Sequence, residues 1–210
     1  MFSGLSGADI AIVFVSLIIS MTLHEAMHGF VAHWLGDTTA ADAGRLTLNP
    51  LRHIDTLTTL LLPLVLIILG LPPIFAAKPV PFNPARLKYD EYGAALVGAA
   101  GPLTNLVLAV FASLVLKAVG PESNIFTAVG LFLEVNVAFF VFNMIPIPPL
   151  DGSRVLYAFA PDFLREIMER IESAGLGIIF FFVAIFALVP SAGNFIANID
   201  TSVINFLLLH

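Results

Sequence analysis

The stretch IISMTLHEAMHGF, residues 18–30, places two histidines and a glutamate inside a run of apolar side chains. The apolar stretch around it, residues 8–35, exceeds the roughly 20 residues that a membrane-spanning helix needs. Ionisable groups inside an apolar helix cost free energy, so their default interpretation is functional. The segment therefore predicts a transmembrane helix that carries a chemical site.

The composition of the whole chain agrees with a membrane environment. Of its 210 residues, 59% are hydrophobic and 11% are charged, whereas a soluble domain carries about 25% charged residues. Long unbroken apolar runs replace the alternating strands of a membrane β-barrel. The absence of cysteine excludes thiolate zinc sites and cysteine nucleophiles, and the scattered basic residues exclude a nucleic-acid-binding surface. We expect an all-α polytopic membrane protein.

Four further apolar stretches define the organisation of the chain. They cover residues 57–75, 92–119, 125–145 and 176–189, the last of them extended by residues 194–210. No repeat or linker separates them. The sequence therefore predicts a single domain, residues 1–210, with four to six transmembrane helices.

Basic residues indicate how the second apolar stretch is placed. Arg45 and Arg52 precede it, and Lys78, Arg86 and Lys88 follow it. Because cytoplasmic loops are enriched in Lys and Arg, both flanks are predicted to be cytoplasmic. We expect residues 57–75 to form a re-entrant segment that enters the membrane without crossing it. On this interpretation the N-terminus is external and the site lies towards the cytoplasmic side.

The sequence HEAMH has the spacing of a zinc-binding helix. His24 and His28 lie one turn apart on one helix face, so their imidazoles could bind one metal ion. Glu25 lies about 100° round the axis, where its carboxylate could accept a proton from a water that the metal activates. The alternative is that both histidines are core residues that pack against neighbouring helices.

A third ligand is needed, because catalytic zinc sites usually have three protein ligands and a water. His53, Glu134 and an aspartate are candidates. The strongest is Asp151 in NMIPIPPLDGSR, residues 143–154, where prolines break the fourth apolar stretch. Irregular backbone at membrane depth is tolerated where it is buried or lines a cavity. An ordinary turn, capped by the aspartate, is the alternative.

Together, HEAMH and NMIPIPPLDG resemble the motifs of the site-2 protease family of intramembrane zinc metalloproteases. Segments 44–55, 77–84 and 98–105 resemble a compact bacterial branch without PDZ or CBS domains, so the resemblance covers residues 20–155. It implies that His24, His28 and Asp151 are zinc ligands and that Glu25 is the general base. It also implies that Asn143 holds the substrate backbone or stabilises the oxyanion.

The resemblance implies an intramembrane zinc metalloendopeptidase with one Zn²⁺ as its cofactor. Its partners would be single-span or other transmembrane protein substrates and the lipid bilayer, in regulated intramembrane proteolysis. The expected location is the bacterial plasma membrane. Two other functions stay open: a metal transporter or sensor that uses the same ligands, and an inactive relative that binds membrane proteins without cutting them.

Several other polar residues have two interpretations each. The segments 44–51 and 77–84 are strand-like and could receive an unwound substrate by strand addition, or they are plain loops. His53 lies beside the first segment. Asn136 and Asn143 share a helix face that could point at the site. Asn105 lies in the same apolar stretch as Gly98 and Gly101. For these residues, close packing of helices at small side chains is the favoured interpretation.

Overall fold

The computed structural model describes residues 6–55, 77–175 and 189–209, together with residues 59, 61, 65, 68, 178 and 185. This part of the chain is helical and contains no β-strand. We label its α-helices α1 (Gly7–Trp34), α2 (Thr39–Asp42), α3 (Asp90–Val119), α4 (Phe126–Asn143), α5 (Gly152–Phe159), α6 (Asp162–Ser173) and α7 (Pro190–Leu209). Two 3₁₀ turns cover Pro50–Arg52 and Pro84–Arg86.

Four helices in the described part of the chain are long and apolar enough to cross a membrane. They are α1, α3, α4 and residues Ser191–Leu209 of α7. The predicted all-α polytopic membrane protein with four to six spanning helices is confirmed. Helix α1 begins in a capping box, in which Ser6 and Asp9 satisfy each other's backbone amides and so pair donors that a helix start leaves free.

Helix α3 is the centre of the bundle and packs against α1, α4 and α5. Small side chains allow this close approach, since Ala109 and Ala112 of α3 are buried against Leu133 and Val137 of α4. Apolar side chains of α7 cover the same cluster. Large apolar side chains on the outer faces, such as Phe111 with 64% exposure, are left for lipid.

Backbone hydrogen bonds join the two ends of the connection between α1 and α3. The backbone amide of Lys78 donates to the carbonyl of His53 over 2.8 Å, and that of Lys88 donates to the carbonyl of Leu35 over 2.9 Å. The chain between these points therefore starts and finishes at one level, as expected if both flanks of residues 57–75 lie on the same side of the membrane. The predicted re-entrant segment, residues 57–75, lies outside the described residues except for four single positions.

The proline-rich break after α4 leads into two short helices. Asp151 directly precedes α5, and α6 is fastened to α5 by the Arg154–Glu172 ion pair and by Tyr157, whose hydroxyl donates to Glu169 over 2.6 Å. Phe163 on α6 is 67% exposed. The break therefore turns the chain so that Asp151 faces the bundle while α6 lies on its outside.

Candidate metal centre

Three side chains from two distant parts of the chain meet inside the bundle. Nε2 of His24 lies 2.9 Å from Oδ2 of Asp151, and Nε2 of His28 lies 3.3 Å from the same oxygen. Both histidines are buried, and Asp151 is partly buried. Among the described residues these three form a group whose ligand atoms all lie within 4.8 Å of one another. The spatial meeting that the sequence predicted is present.

His28 makes a hydrogen bond from the ring nitrogen that points away from Asp151, and this bond fixes which nitrogen faces Asp151. Nδ1 of His28 lies 2.6 Å from the backbone carbonyl of Val97 on α3. A carbonyl oxygen only accepts hydrogen bonds, so Nδ1 carries the hydrogen. In the neutral imidazole, Nε2 then has a free lone pair, and that lone pair points towards Asp151.

A chain of amides fixes the other imidazole in the same way. Nδ1 of His24 lies 2.6 Å from Oδ1 of Asn105. The Nδ2 group of Asn105 donates to Oδ1 of Asn136 over 2.9 Å and to the carbonyl of Ser20 over 3.4 Å. Because Ser20 offers only a carbonyl, Asn105 must turn its oxygen towards His24. His24 therefore donates from Nδ1 and leaves Nε2 free.

The centre therefore brings two imidazole lone pairs and a carboxylate oxygen to one point. Three acceptors at this spacing repel one another unless a proton or a metal cation lies between them. Two nitrogens and one oxygen are a usual ligand set for catalytic zinc, whose ligands at about 2.0–2.1 Å lie about 3.3 Å apart in a tetrahedral site. The separation of 3.3 Å between His28 and Asp151 matches that spacing, and the separation of 2.9 Å between His24 and Asp151 is shorter.

Gly101 leaves room on α3 for the two imidazoles of the centre. A Cβ built on this residue of α3 would lie 2.6 Å from Nε2 of His24 and closer still to Nε2 of His28. Any side chain at this position would therefore collide with the imidazole nitrogens and displace them. The prediction of close packing at Gly98 and Gly101 is confirmed, and at Gly101 the packing is against the metal centre itself.

The carboxylate of Asp151 can take part in the centre because it does not cap a helix. It precedes α5, but its side chain makes no capping hydrogen bond. The neighbouring Gly152 lets the turn close, since a Cβ there would collide with the carbonyl of Met144. The alternative of an ordinary capped turn is therefore wrong for this carboxylate.

Glu25 lies outside the ligand group and has its own partner. The backbone amide of Val80 donates to Oε2 of Glu25 over 3.0 Å. The side chain is partly exposed, whereas the ligands on either side of it, His24 and His28, are buried. This arrangement holds a partly exposed carboxylate beside the donor set.

The remaining predicted residues are placed apart from the ligands. Asn143 donates from Nδ2 to the carbonyl of Phe139 over 3.0 Å, within α4. His53 is fully buried, with Nε2 donating to the carbonyl of Thr47 over 2.8 Å. Glu134 is exposed on α4. His53 and Glu134, the other candidates for a third ligand, do not belong to the described ligand group.

Sequence reasoning missed three contributors to the centre. Asn105 was assigned mainly to helix packing, yet it orients His24 directly. The carbonyl of Val97 and the amide of Val80 are backbone groups, which carry no residue-type signal. For Asn105 a signal existed, because the sequence places this amide one turn beyond Gly101 in a predicted spanning helix, where polar side chains bond across helices.

The chain is similar to three bacterial proteins whose names state a metal-dependent activity. "Putative zinc metalloprotease YwhC" of Bacillus subtilis is 37% identical over 171 residues, which are 77% of this chain and 74% of the relative. "Putative zinc metalloprotease Rip2" of Mycolicibacterium smegmatis is 35% identical over 146 residues, and its namesake in Mycobacterium tuberculosis H37Rv is 31% identical over 185.

The matched segment covers 67% of this chain and 54% of the first Rip2 protein, and 83% of this chain and 65% of the second. The chain thus spans less than two thirds of either Rip2 protein. No family model and no solved structure matches the chain. The relatives' names and the His24–His28–Asp151 donor set support one Zn²⁺ ion as the cofactor.

Proposed function

The chain belongs to the family of the relatives named zinc metalloproteases, YwhC and Rip2, and from that membership we propose that it is an intramembrane endopeptidase of the site-2 protease type. It would hydrolyse peptide bonds within or next to the transmembrane helices of single-span or other membrane-protein substrates. The observation that carries the proposal is the meeting of two imidazoles and a carboxylate among helices apolar enough to span a membrane.

In this proposal each residue of the centre has a separate task. His24, His28 and Asp151 hold the zinc ion, which when bound supplies a Lewis acid that activates water and polarises a peptide carbonyl. The amide chain through Asn105 and the carbonyl of Val97 keep both Nε2 atoms free of hydrogen. These outer contacts fix the ring orientations and so preorganise the site.

Glu25 is proposed as the general base and then the general acid. Its carboxylate takes a proton from the attacking water while the oxygen of that water bonds to the peptide carbon. It returns the proton to the amide nitrogen as the carbon–nitrogen bond breaks, so that an acid and an amine leave. The hydrogen bond from the backbone amide of Val80 restricts the rotamers of the Glu25 side chain.

Asn143 is proposed to contact the substrate backbone or the developing oxyanion. Its Nδ2 group has two hydrogens, and the carbonyl of Phe139 accepts one of them. One donor is therefore left for a substrate oxygen.

We further propose that the chain resides in the bacterial plasma membrane with its centre towards the cytoplasm, because basic residues flank residues 57–75 on both sides.

The test compares the wild type with Glu25→Gln. Each protein would be purified in detergent, analysed for zinc, and reconstituted with candidate single-span substrates. We expect both proteins to retain about one zinc per chain and only the wild type to cleave. Cleavage by Glu25→Gln at the wild-type rate would exclude Glu25 as the base. Metal transport without cleavage by either protein would favour the transporter alternative.

A further inference from the structure

The backbone that reaches Glu25 belongs to a short extended segment, residues 78–83, which we call the strap. Its sequence is KPVPFN. At its middle, the amide of Val80 donates to Glu25, and the Val80 side chain is buried. It lies against Gly29, one turn after Glu25 on α1, where a Cβ would come within 3.2 Å of the valine. The strap thus sits directly over the helix face that carries the proposed base.

Hydrogen bonds from outside hold both ends of the strap. At its start, the amide of Lys78 donates to the carbonyl of His53 over 2.8 Å, and Nη2 of Arg45 donates to the carbonyl of Lys78 over 2.6 Å. At its end, the amide of Asn83 donates to Oδ2 of Asp37 over 2.6 Å. The single contact with Glu25 lies between these two attachments.

The attachments at the two ends of the strap use buried charges. Asp37 is fully buried and Arg45 is 7% exposed, although burying a charge costs free energy that only good hydrogen bonds offset. Asp37 receives those bonds from the amide and hydroxyl of Thr39 and from the strap. By contrast, Pro79 and Pro81 are exposed and contribute little burial. Charged side chains therefore hold the two ends of the strap, whereas Val80 and Phe82 pack on apolar surroundings in its middle.

We propose that Asp37 is a positioning residue for the reaction. By fixing the end of the strap it fixes the amide of Val80, and through that amide it holds the Glu25 carboxylate beside the donor set. Asp37 itself touches no reacting atom. The inference rests on the proposed function for its catalytic consequence, but the mechanical link from Asp37 through Val80 to Glu25 exists whether or not the chain is a protease.

Hydrogen–deuterium exchange can measure that link without any substrate. Proline has no amide hydrogen, so the strap carries amide hydrogens only at residues 78, 80, 82 and 83. In the zinc-loaded full chain we expect Asp37→Asn to raise exchange about tenfold or more at Asn83 and at Val80. Glu25→Ala should raise exchange at Val80 and leave Asn83 protected. The matched control is Asp42→Asn, which removes an exposed carboxylate bonded only to Thr38.

Turnover of a single-span model substrate supplies the second readout. We expect Asp37→Asn to lower kcat about 10- to 100-fold, because small misplacements of a catalytic group have effects of this size. KM and zinc content should stay close to those of Asp42→Asn. If Asp37→Asn does not fold, Arg45→Gln should release the other end of the strap, with the same loss in kcat and of protection at Val80.

The outcomes separate this inference from the proposed function. Increased exchange at Asn83 with unchanged exchange at Val80 and unchanged kcat would make Asp37 a local structural residue and overturn the inference. Loss of protection at Val80 in a chain whose wild type cleaves no substrate would overturn the proposed protease instead. Unchanged exchange at both positions would show that Asp37 does not hold the strap.

Discussion

Nδ1 of His24 on α1 lies 2.6 Å from Oδ1 of Asn105 on α3, and both residues are buried. This contact joins the helix that carries HEAMH to the helix at the centre of the bundle. Because the Nδ2 group of Asn105 is engaged by Asn136 and Ser20, its oxygen cannot turn away. The orientation of a proposed zinc ligand is thus determined by an amide on another helix.

The first prediction concerns Asn105→Leu, which removes the acceptor for Nδ1 of His24. We expect zinc affinity to fall about 10- to 100-fold, the usual cost of losing a hydrogen-bond partner of a ligating histidine. Competition with a chelator measures the affinity. The control, Asn198→Leu, replaces an exposed amide on α7. Equal affinities for the two variants would show that Asn105 does not support the centre.

Gly101→Ala should displace zinc without unfolding the chain. The new methyl group would lie 2.6 Å from Nε2 of His24, so the imidazoles that hold the ion would have to move. Gly130→Ala on α4 is the matched control, since a Cβ there meets nothing within 4 Å, and alanine should stabilise the helix by about 0.5–1 kcal/mol. Elemental analysis and thermal unfolding of both variants test this. Full zinc content in Gly101→Ala would contradict the assignment.

Asn143→Ala should separate substrate activation from metal binding. If the free Nδ2 hydrogen meets the developing oxyanion, its loss should lower kcat about 100-fold or more, as for other oxyanion donors. Zinc content should not change, because Asn143 bonds only the carbonyl of Phe139. A variant with unaltered kcat and raised KM would instead assign Asn143 to binding of the substrate backbone.

Asp37 should make the stability of the fold depend on pH in the acid range. Burial alone raises the pKa of its carboxyl, but hydrogen bonds from Thr39 and Asn83 outweigh burial and hold the pKa below its ordinary value. The carboxylate therefore stabilises the fold above its unfolded pKa of about 4 and loses this contribution as the pH falls through its folded pKa.

Thermal unfolding between about pH 7 and pH 3 tests this dependence on the Asp37 carboxylate. The difference in Tm between wild type and Asp37→Asn should be largest near neutrality and should shrink as the pH falls below about 4. A difference that stays constant over the whole range would mean that the ionised carboxylate is not the stabilising form.

Much of the centre could be predicted because its motifs constrain local geometry. The spacing of His24 and His28 places both imidazoles on one helix face wherever the helix lies. The prolines before Asp151 end α4 and so indicate a carboxylate on irregular backbone. That these two elements meet is a long-range fact. The sequence predicted it from the need for a third zinc ligand together with the resemblance of both motifs to those of one protease family.

The contacts around the centre could not be predicted for a physical reason. The partners of Glu25 and of His28 are the amide of Val80 and the carbonyl of Val97, and every residue other than proline offers both groups. Their roles follow from how α1 packs against α3 and the strap. The spanning helices predicted in residues 8–35, 92–119 and 125–145, by contrast, were identified correctly because length and hydropathy alone define them. The predicted stretches 57–75 and 176–189 lie outside the described residues except for single positions.

The most direct test of the account is an anomalous diffraction map of the zinc-loaded protein at the zinc absorption edge. We predict a single peak about 2.0–2.2 Å from Nε2 of His24, Nε2 of His28 and a carboxylate oxygen of Asp151, and loss of that peak in Asp151→Ala. A peak elsewhere in the molecule, or a peak bound by the histidines while Asp151 points away, would contradict the account.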